Sequence, residues 1–448
     1  MQKPRLVLLL LLANFCCIAQ QAKKKTGGDV SGNYYNWKAT IAPESPWMNN
    51  YSQTLVMKFF LCSRDGNGNV KKVYLTFDSA LSVIKKLDNL TLGIPKIVYL
   101  VGWQFTGHDA GYPSWAVVNN SLKRKQDASP LESLHWLIKE AKKYHTIVSL
   151  HINMIDAFKN SPLWNEYFKK NIVLKDKNGN PIPGEVFDGM QSYQISYAQE
   201  WKEGLAQKRI DDLLAMVPEL KEGGTIHIDA FHSIQPVRKD DTLSSPYLGL
   251  KINDEIEAQR KIFRYWRNKG MDVTSEGAMY WLRRDPFIGL QPMAWHFDID
   301  GFRKESWIGK PASFDSLPPQ LYCGTPMAAE QEVRQDPENL SGLLQQFCTR
   351  VVPWYYTNHT GKNNIALPWQ AGDDIFLPVL WKHKAIVAYS KNGYNAKQFK
   401  LPKEWGNVKT ITAYDLSISG IINKTIIAAQ NSTLILTLKA GEGIVLTF

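Results

Sequence analysis

Short β-rich runs alternate with amphipathic helical stretches through the middle of this 448-residue chain. The pattern predicts strands, with helices between most of them, at residues 97–103, 146–153, 193–197, 225–231 and 272–277. Such alternation is typical of a parallel sheet. Further strands are expected near 295–298, 320–323 and 351–355, for eight in all. Because no glycine-rich nucleotide loop follows the run at 97–103, a closed (β/α)₈ TIM-type barrel is favoured over a doubly wound sheet.

The segments that flank this region have a different pattern. Asp65–Asn69 resembles a turn between Met57–Leu61 and Val73–Phe77, which predicts a hairpin. After about residue 368 only strand-like runs remain, and these predict a C-terminal β-sandwich. We therefore expect a leader and strand-rich segment over 20–90, a catalytic barrel over 91–365 and a β-sandwich over 366–448.

The first residues have the features of a signal peptide. A basic start precedes an apolar run from Leu6 to Ala13, and cleavage is expected near Ala19. The run is too short to span a bilayer, and no later segment is predicted to do so. Lipidation of Cys16 is an alternative, although Phe15 is bulky for such a site. The protein is therefore expected to be exported, to the periplasm or beyond.

Charge and cysteine content narrow the classes of function. The net charge is +11, but Lys and Arg are spread among Asp and Glu, so no nucleic-acid partner is predicted. Only Cys62, Cys323 and Cys348 follow the expected cleavage site, and an odd number argues against a disulfide framework. The turns at Asp65 and Asp176 resemble incomplete calcium loops, so no metal is predicted there.

Carboxylates occur near the ends of two consecutive predicted barrel strands. Side chains alternate along a strand, so His227, Asp229 and Phe231 are expected to face inward while Ile226 and Ile228 face the helices. The same alternation turns Glu276 inward at the end of the next strand. His151 and Asn153 end an earlier strand in the same way. Barrel enzymes carry their active sites at this end of the sheet.

Asp229 and Glu276 are therefore predicted to be catalytic. Hydrolysis of a glycosidic bond uses one carboxylate at the anomeric carbon and one acid that protonates the leaving oxygen. Two nearby carboxylates also raise one pKa, which keeps that acid protonated. The alternative is that both residues are structural and form salt bridges at the strand ends.

Four motifs make the chain similar to a known family. Tyr99–Asp109, His151–Asn153, Ile226–Asp229 and Val273–Glu276 resemble the catalytic barrel of glycoside hydrolase family 101, the endo-α-N-acetylgalactosaminidases, over roughly residues 95–300. The resemblance implies that Asp229 is the nucleophile and Glu276 the acid/base, with retention of configuration. It also implies that His108, Asp109 and Asn153 bind substrate hydroxyls. Members of the family are usually much longer than this chain.

The remaining site predictions concern the rim of the barrel. His108 and Asp109 follow the strand at 97–103, where they could distinguish sugar hydroxyls, and His151 joins them as a substrate-binding residue. Trp103 and Trp295 are predicted to stack on sugar rings. No spacing supports a catalytic metal, and no cofactor is expected.

The expected partner is an oligosaccharide or glycoprotein glycan that carries an α-linked galactose-type sugar. An exo-acting α-galactosidase-like hydrolase and a non-catalytic glycan-binding protein are the alternatives.

Overall fold

The computed structural model describes residues 47–51, 53–229, 231, 243–276, 290–293, 327, 329–360, 370–371 and 374–448. Its strands, in chain order, are β1 (Leu55–Phe60), β2 (Cys62–Arg64), β3 (Val70–Val73), β4 (Lys96–Val101), β5 (Thr146–Asn153), β6 (Asp156–Ala157), β7 (Pro183–Phe187), β8 (Met190–Gln194), β9 (Thr225–Asp229), β10 (Leu243–Ser245), β11 (Leu250–Lys251), β12 (Asp272–Glu276), β13 (Leu290–Met293), β14 (Gln370–Ala371), β15 (Asp374–Pro378), β16 (Ala385–Ser390), β17 (Tyr394–Lys400), β18 (Thr410–Asp415), β19 (Ile422–Gln430), β20 (Thr433–Leu438) and β21 (Glu442–Thr447).

The helices lie between or beside these strands. They are α1 (Phe77–Leu90), α2 (Pro130–Ala141), α3 (Trp164–Lys169), α4 (Tyr197–Lys202), α5 (Leu205–Met216), α6 (Glu219–Gly223), α7 (Ile252–Asn268), α8 (Glu330–Gln335), α9 (Leu343–Gln346) and α10 (Val352–Thr360). Among the residues described, no helix has the length and apolar content needed to cross a bilayer.

A six-stranded sheet organises the first part of the chain. Its strand order is β1-β4-β5-β9-β12-β13, and every pair is parallel. The strands follow one another across the sheet in chain order without a reversal. A doubly wound sheet reverses its order at a switch point. The prediction of a mixed α/β fold with a parallel sheet is therefore confirmed.

The sheet begins earlier than the sequence suggested. Met57–Leu61 was expected to form one arm of a hairpin, but β1 is the first strand of the parallel sheet, and α1 connects it to β4. The hairpin around Asp65–Asn69 does form, from β2 and β3. A Thr76–Ser79 capping box begins α1 where Val73–Phe77 was expected to be a strand. The parallel sheet thus begins before residue 91, and the strand predicted at 97–103 is its second strand.

Two other predicted barrel strands are wrong. Of residues 193–197, only the first two belong to a strand, β8, which lies in a small antiparallel sheet with β6 and β7, and Tyr197 begins α4. Residues 351–355 are helical, in α10 and the π-helical turn before it. A short apolar run fits a buried helix as well as a buried strand, so periodicity could not separate the two. The candidates at 295–298 and 320–323, the signal peptide at 1–19 and residues 20–46 of the predicted leader segment lie outside the described residues.

The C-terminal part is all β, as expected. The eight strands described there form one antiparallel sheet, in the order β14-β15-β16-β21-β18-β19-β20-β17, and not the two separate sheets of a sandwich. The sheet curves around its own core, because Phe376 of β15 stacks on Phe399 of β17 at 4.4 Å between ring centroids. Trp381 joins this part to α1 by donating a hydrogen bond to the Thr91 carbonyl at 3.0 Å.

Candidate active site

The carboxyl edge of the parallel sheet carries the predicted catalytic strand ends. In the register of β5 and β9, His151 pairs with His227 and Asn153 with Asp229. Ile226 and Ile228 lie in the core that the sheet shares with the helices. His227 faces the other way, where one ring nitrogen lies 2.9 Å from the Thr274 hydroxyl. The predicted alternation along β9 is therefore confirmed as far as Asp229.

The alternation does not extend to Phe231. β9 ends at Asp229, and the Phe231 ring packs against Tyr197 and Phe263 at 4.7 and 5.4 Å between centroids. Phe231 therefore lies in the core beside α7 instead of facing inward. The side-chain alternation of a strand is lost where the extended backbone ends.

A row of aromatic rings rises along the inner face of the sheet to its rim. Tyr99 and His227 lie 5.2 Å apart, His227 and His151 5.1 Å, and His151 and His108 5.8 Å, between ring centroids. The row connects the buried floor of the sheet to the partly exposed His108. These packed rings support the charged side chains at the carboxyl edge of the sheet and can hold them in fixed positions.

Asp229 stands at the top of this row. Its carboxylate lies 3.7 Å from His151 Nε2, and the Asp229 side chain keeps 19% of its surface exposed while that of His151 keeps 1%. Asp229 is thus open on one side and supported from below by a buried imidazole. This arrangement suits a carboxylate that meets a ligand at the rim.

The loop after β4 brings His108 and Asp109 to the same place. His108 Nδ1 lies 3.3 Å from Asp109 Oδ2. Arg64 Nε donates to the Asp109 carbonyl at 2.9 Å, which ties the loop to the hairpin. Gly102 allows the close approach, because a Cβ there would come within 2.2 Å of the Cys62 carbonyl oxygen, and its φ is +74°. The predicted His-Asp pair therefore lies beside Asp229, in a loop built on glycine.

Burial shifts the pKa values of two groups at this rim. Burial, and then the neighbouring His151, lower the pKa of His108 to about 4, so its imidazole is neutral near pH 7. Burial, and then the negative charge of Asp109, raise the pKa of Asp156 to about 7. Asp156 belongs to β6 and accepts a hydrogen bond from Asn153 Nδ2 at 2.9 Å.

The structure describes the surroundings of two predicted substrate contacts. Trp103 is fully buried, and its indole N–H donates to the His151 carbonyl at 2.9 Å, so it is a core residue and not a stacking surface. The Asn153 side-chain oxygen accepts from the Ile155 and Asp156 backbone N–H groups, and its amide donates to Asp156. Asn153 thus shapes the turn after β5, and its role in binding substrate stays a prediction.

Of the remaining predicted site residues, the structure describes the backbone of Glu276. Thr225–Ile228 of β9 pair with Asp272–Ser275 of β12, so the backbone of Glu276, one residue further, ends its strand beside Asp229. Trp295 lies outside the described residues.

Comparison with known proteins shows which family the chain is similar to. Residues 69–277 match the family model described as endo-alpha-N-acetylgalactosaminidase, which is glycoside hydrolase family 101. The matched segment contains the His-Asp loop, the β5 and β9 strand ends, and Glu276. The chain is a glycoside hydrolase that is similar to family 101 over this segment.

Two solved structures show the extent of the structural similarity. The ligand-free α-N-acetylgalactosaminidase NagBb of Bifidobacterium bifidum aligns at 12% identity with a TM-score of 0.41, over 60% of this chain and 42% of that one. The α-amylase of Geobacillus thermoleovorans aligns at 9% identity with a TM-score of 0.43, over 89% of this chain and 99% of that one. The hydrolase thus spans about two fifths of the NagBb chain.

Sequence reasoning missed three groups at the site of the family 101-like hydrolase. Asp156 was missed because it follows β5 by three residues and has no motif of its own. Tyr112 is buried, and burial followed by the charges of Asp109 and Asp229 raises its pKa, so its phenol stays protonated. Lys58 lies on β1, 3.4 Å from Glu330 of α8. The position of Lys58 among the apolar residues of Val56–Phe60 was the sequence signal that could have predicted that its side chain faces inward.

Proposed function

We propose that this protein is a retaining glycoside hydrolase that acts on an α-linked galactose-type sugar, namely α-GalNAc or the Gal-GalNAc disaccharide of O-glycans. The observation that carries the proposal is the position of Asp229. It ends β9 with an open side, has His151 beneath it and the His108–Asp109 pair beside it, and its strand neighbours the one that ends at Glu276. The match to the family 101 model supports the sugar class.

In this proposal Asp229 attacks the anomeric carbon and Glu276 protonates the leaving oxygen. Water then hydrolyses the glycosyl-enzyme while Glu276 takes the proton, so configuration is retained. Neighbouring strands lie about 4.8 Å apart, which suits the separation of about 5 to 5.5 Å between carboxyl groups in retaining enzymes. His151 holds Asp229 in place, because it is buried and 3.7 Å away.

The loop pair has a binding role in this proposal. His108 is neutral near pH 7, so its imidazole can donate one hydrogen bond and accept another, and Asp109 can only accept. Together they match the donor and acceptor capacity of adjacent sugar hydroxyls. Tyr112 has a neutral phenol near these acidic groups, so it adds no negative charge to the site.

The wider architecture is part of the proposal. The six parallel strands, in unbroken chain order, are inferred to be members of a closed (β/α)₈ barrel that ends near residue 365, followed by the antiparallel C-terminal domain. Export through a signal peptide over residues 1–19 would bring the enzyme to glycoprotein or oligosaccharide glycans outside the cytoplasm.

Three aryl glycosides test the substrate class: an α-galactoside, an α-N-acetylgalactosaminide and an α-Gal-GalNAc disaccharide. Release from the disaccharide alone means endo action, and release from the monosaccharides means exo action of the α-galactosidase type. Saturable binding of all three without release would contradict the proposal and indicate a glycan-binding protein. Asp229→Asn is the matched control, because it preserves shape and removes the nucleophile.

A further inference from the structure

We propose that His108, His151 and Asp229 bind one transition-metal ion of the Zn²⁺ type, and that this ion inhibits the enzyme by occupying the place of the sugar. Binding of the ion depends only on the geometry of these three side chains. The inhibition rests in addition on the proposed function, in which Asp229 is the nucleophile.

The three side chains converge on one point. Each offers one ligand atom, and these atoms all lie within 4.8 Å of one another. His151 Nε2 and Asp229 Oδ1 are 3.7 Å apart. A tetrahedral Zn²⁺ with bonds of about 2.0 Å needs ligand atoms about 3.3 Å apart. Small rotamer adjustments of the partly exposed His108 and Asp229 side chains would therefore complete the site.

The donor types select the ion. Two imidazoles and one carboxylate suit Zn²⁺ and its neighbours Co²⁺, Ni²⁺ and Cu²⁺, whereas Ca²⁺ and Mg²⁺ prefer oxygen ligands only. Three protein ligands leave a fourth position for water, on the exposed side of Asp229. The three residues come from the loop after β4, from β5 and from β9, so the site forms only when the sheet is folded.

Outer contacts fix two of the ligands. Asp109 Oδ2 lies 3.3 Å from His108 Nδ1 and orients that ring. The backbone carrying His151 is held by the Trp103 indole, which donates to the His151 carbonyl. Carboxylates that hydrogen-bond a metal-binding imidazole typically change metal affinity by about 10- to 100-fold when they are lost.

A bound ion would engage the Asp229 oxygen that attacks the anomeric carbon. It would also lie where the sugar meets His108. Zn²⁺ and substrate should therefore exclude each other, and inhibition should be competitive with the aryl glycoside and reversed by a chelator.

Titration calorimetry of the chelator-treated full chain with Zn²⁺ tests the site directly. We expect one equivalent to bind, about 10- to 100-fold weaker binding in Asp109→Asn, and a greater loss in His108→Gln and Asp229→Asn. His145→Asn is the matched control, because it removes an exposed imidazole beside Asp88 at the opposite end of β5, and Asn tolerates its φ of +51°. That control should bind Zn²⁺ like the native chain and keep its activity.

Several outcomes would overturn the proposal. They are no binding at a Zn²⁺ concentration that saturates other two-histidine sites, equal affinity in the native chain and His108→Gln, or a loss of affinity in His145→Asn alone. Because His108 is partly exposed, its variant stays informative even if a change at the buried His151 prevents folding. Zn²⁺ binding without glycoside turnover would leave the metal site standing and refute the proposed function. Turnover without Zn²⁺ binding would refute the metal site and leave the proposed function standing.

Discussion

The pH dependence of stability should change when Asp156 is replaced by asparagine. The pKa of Asp156 is about 7 in the folded protein, against an ordinary value of 3.8, because the carboxyl group is buried and lies near the charge of Asp109. A difference of about 3 corresponds to about 4 kcal/mol at about 1.4 kcal/mol for each pH unit. Asparagine keeps the acceptor for Asn153 Nδ2 without the charge.

The sign follows from proton binding. Because the folded pKa is the higher one, the protonated carboxyl stabilises the fold fully below pH 4, and that stability is lost as the pH rises to 7. The native chain should lose this contribution to stability as the pH rises, whereas Asp156→Asn should not. The free energy of unfolding of the variant, relative to native, should therefore rise by about 3 kcal/mol between pH 5 and pH 8.

Urea unfolding followed by tryptophan fluorescence at several pH values measures this difference. Asp176→Asn is a control of opposite sign, because backbone N–H groups, led by that of Asn180, lower the pKa of the exposed Asp176. Its removal should destabilise the fold near pH 7 and matter less as the pH falls through the folded pKa. A constant difference between Asp156→Asn and native from pH 5 to 8, or one that shrinks, would refute the reasoning.

Three further predictions concern the rim and the turns. Asp109→Ala should lower kcat/KM by about 10- to 100-fold through loss of a charged hydrogen bond to substrate, with an unchanged circular dichroism spectrum; native kinetics would make the loop purely structural. Gly102→Ala should destabilise the fold by roughly 1–3 kcal/mol or more, since its φ is +74° and its Cβ would meet the Cys62 carbonyl, and an unchanged melting temperature would contradict this. Chelator treatment should leave activity intact, because the Asp65 and Asp176 turns are closed by backbone N–H groups; a loss that calcium restores would show otherwise.

The strands that carry chemistry could be predicted from the sequence because each alternates cleanly. Thr146–Asn153 has the bounds expected for it, and Thr225–Asp229 differs only at its end. Strand β1 was assigned to a hairpin because the Asp65–Asn69 turn follows it so soon. Strand β1 instead ends at Phe60, and only the short β2, which follows Leu61, pairs with β3.

The roles of buried side chains could be predicted less well, because burial depends on contacts between distant segments. Trp103 has the position of a stacking residue at a strand end, yet its indole N–H turns inward to the β5 backbone. Asp156 acquires its raised pKa through burial and then through the charge of Asp109, which is 47 residues earlier in the chain. Neither of these two contacts can be predicted from the spacing of residues in the sequence.

The configuration of the first-formed sugar tests the central claim most directly. Proton NMR of the native enzyme acting on an aryl α-N-acetylgalactosaminide or the aryl disaccharide should first detect the α-anomer. Asp229→Asn should abolish turnover, whereas Glu276→Gln should still release activated aryl groups and be accelerated by azide in its second step. A β-anomer from the native enzyme, or a near-native rate in Asp229→Asn, would contradict the assignment of Asp229 as the nucleophile.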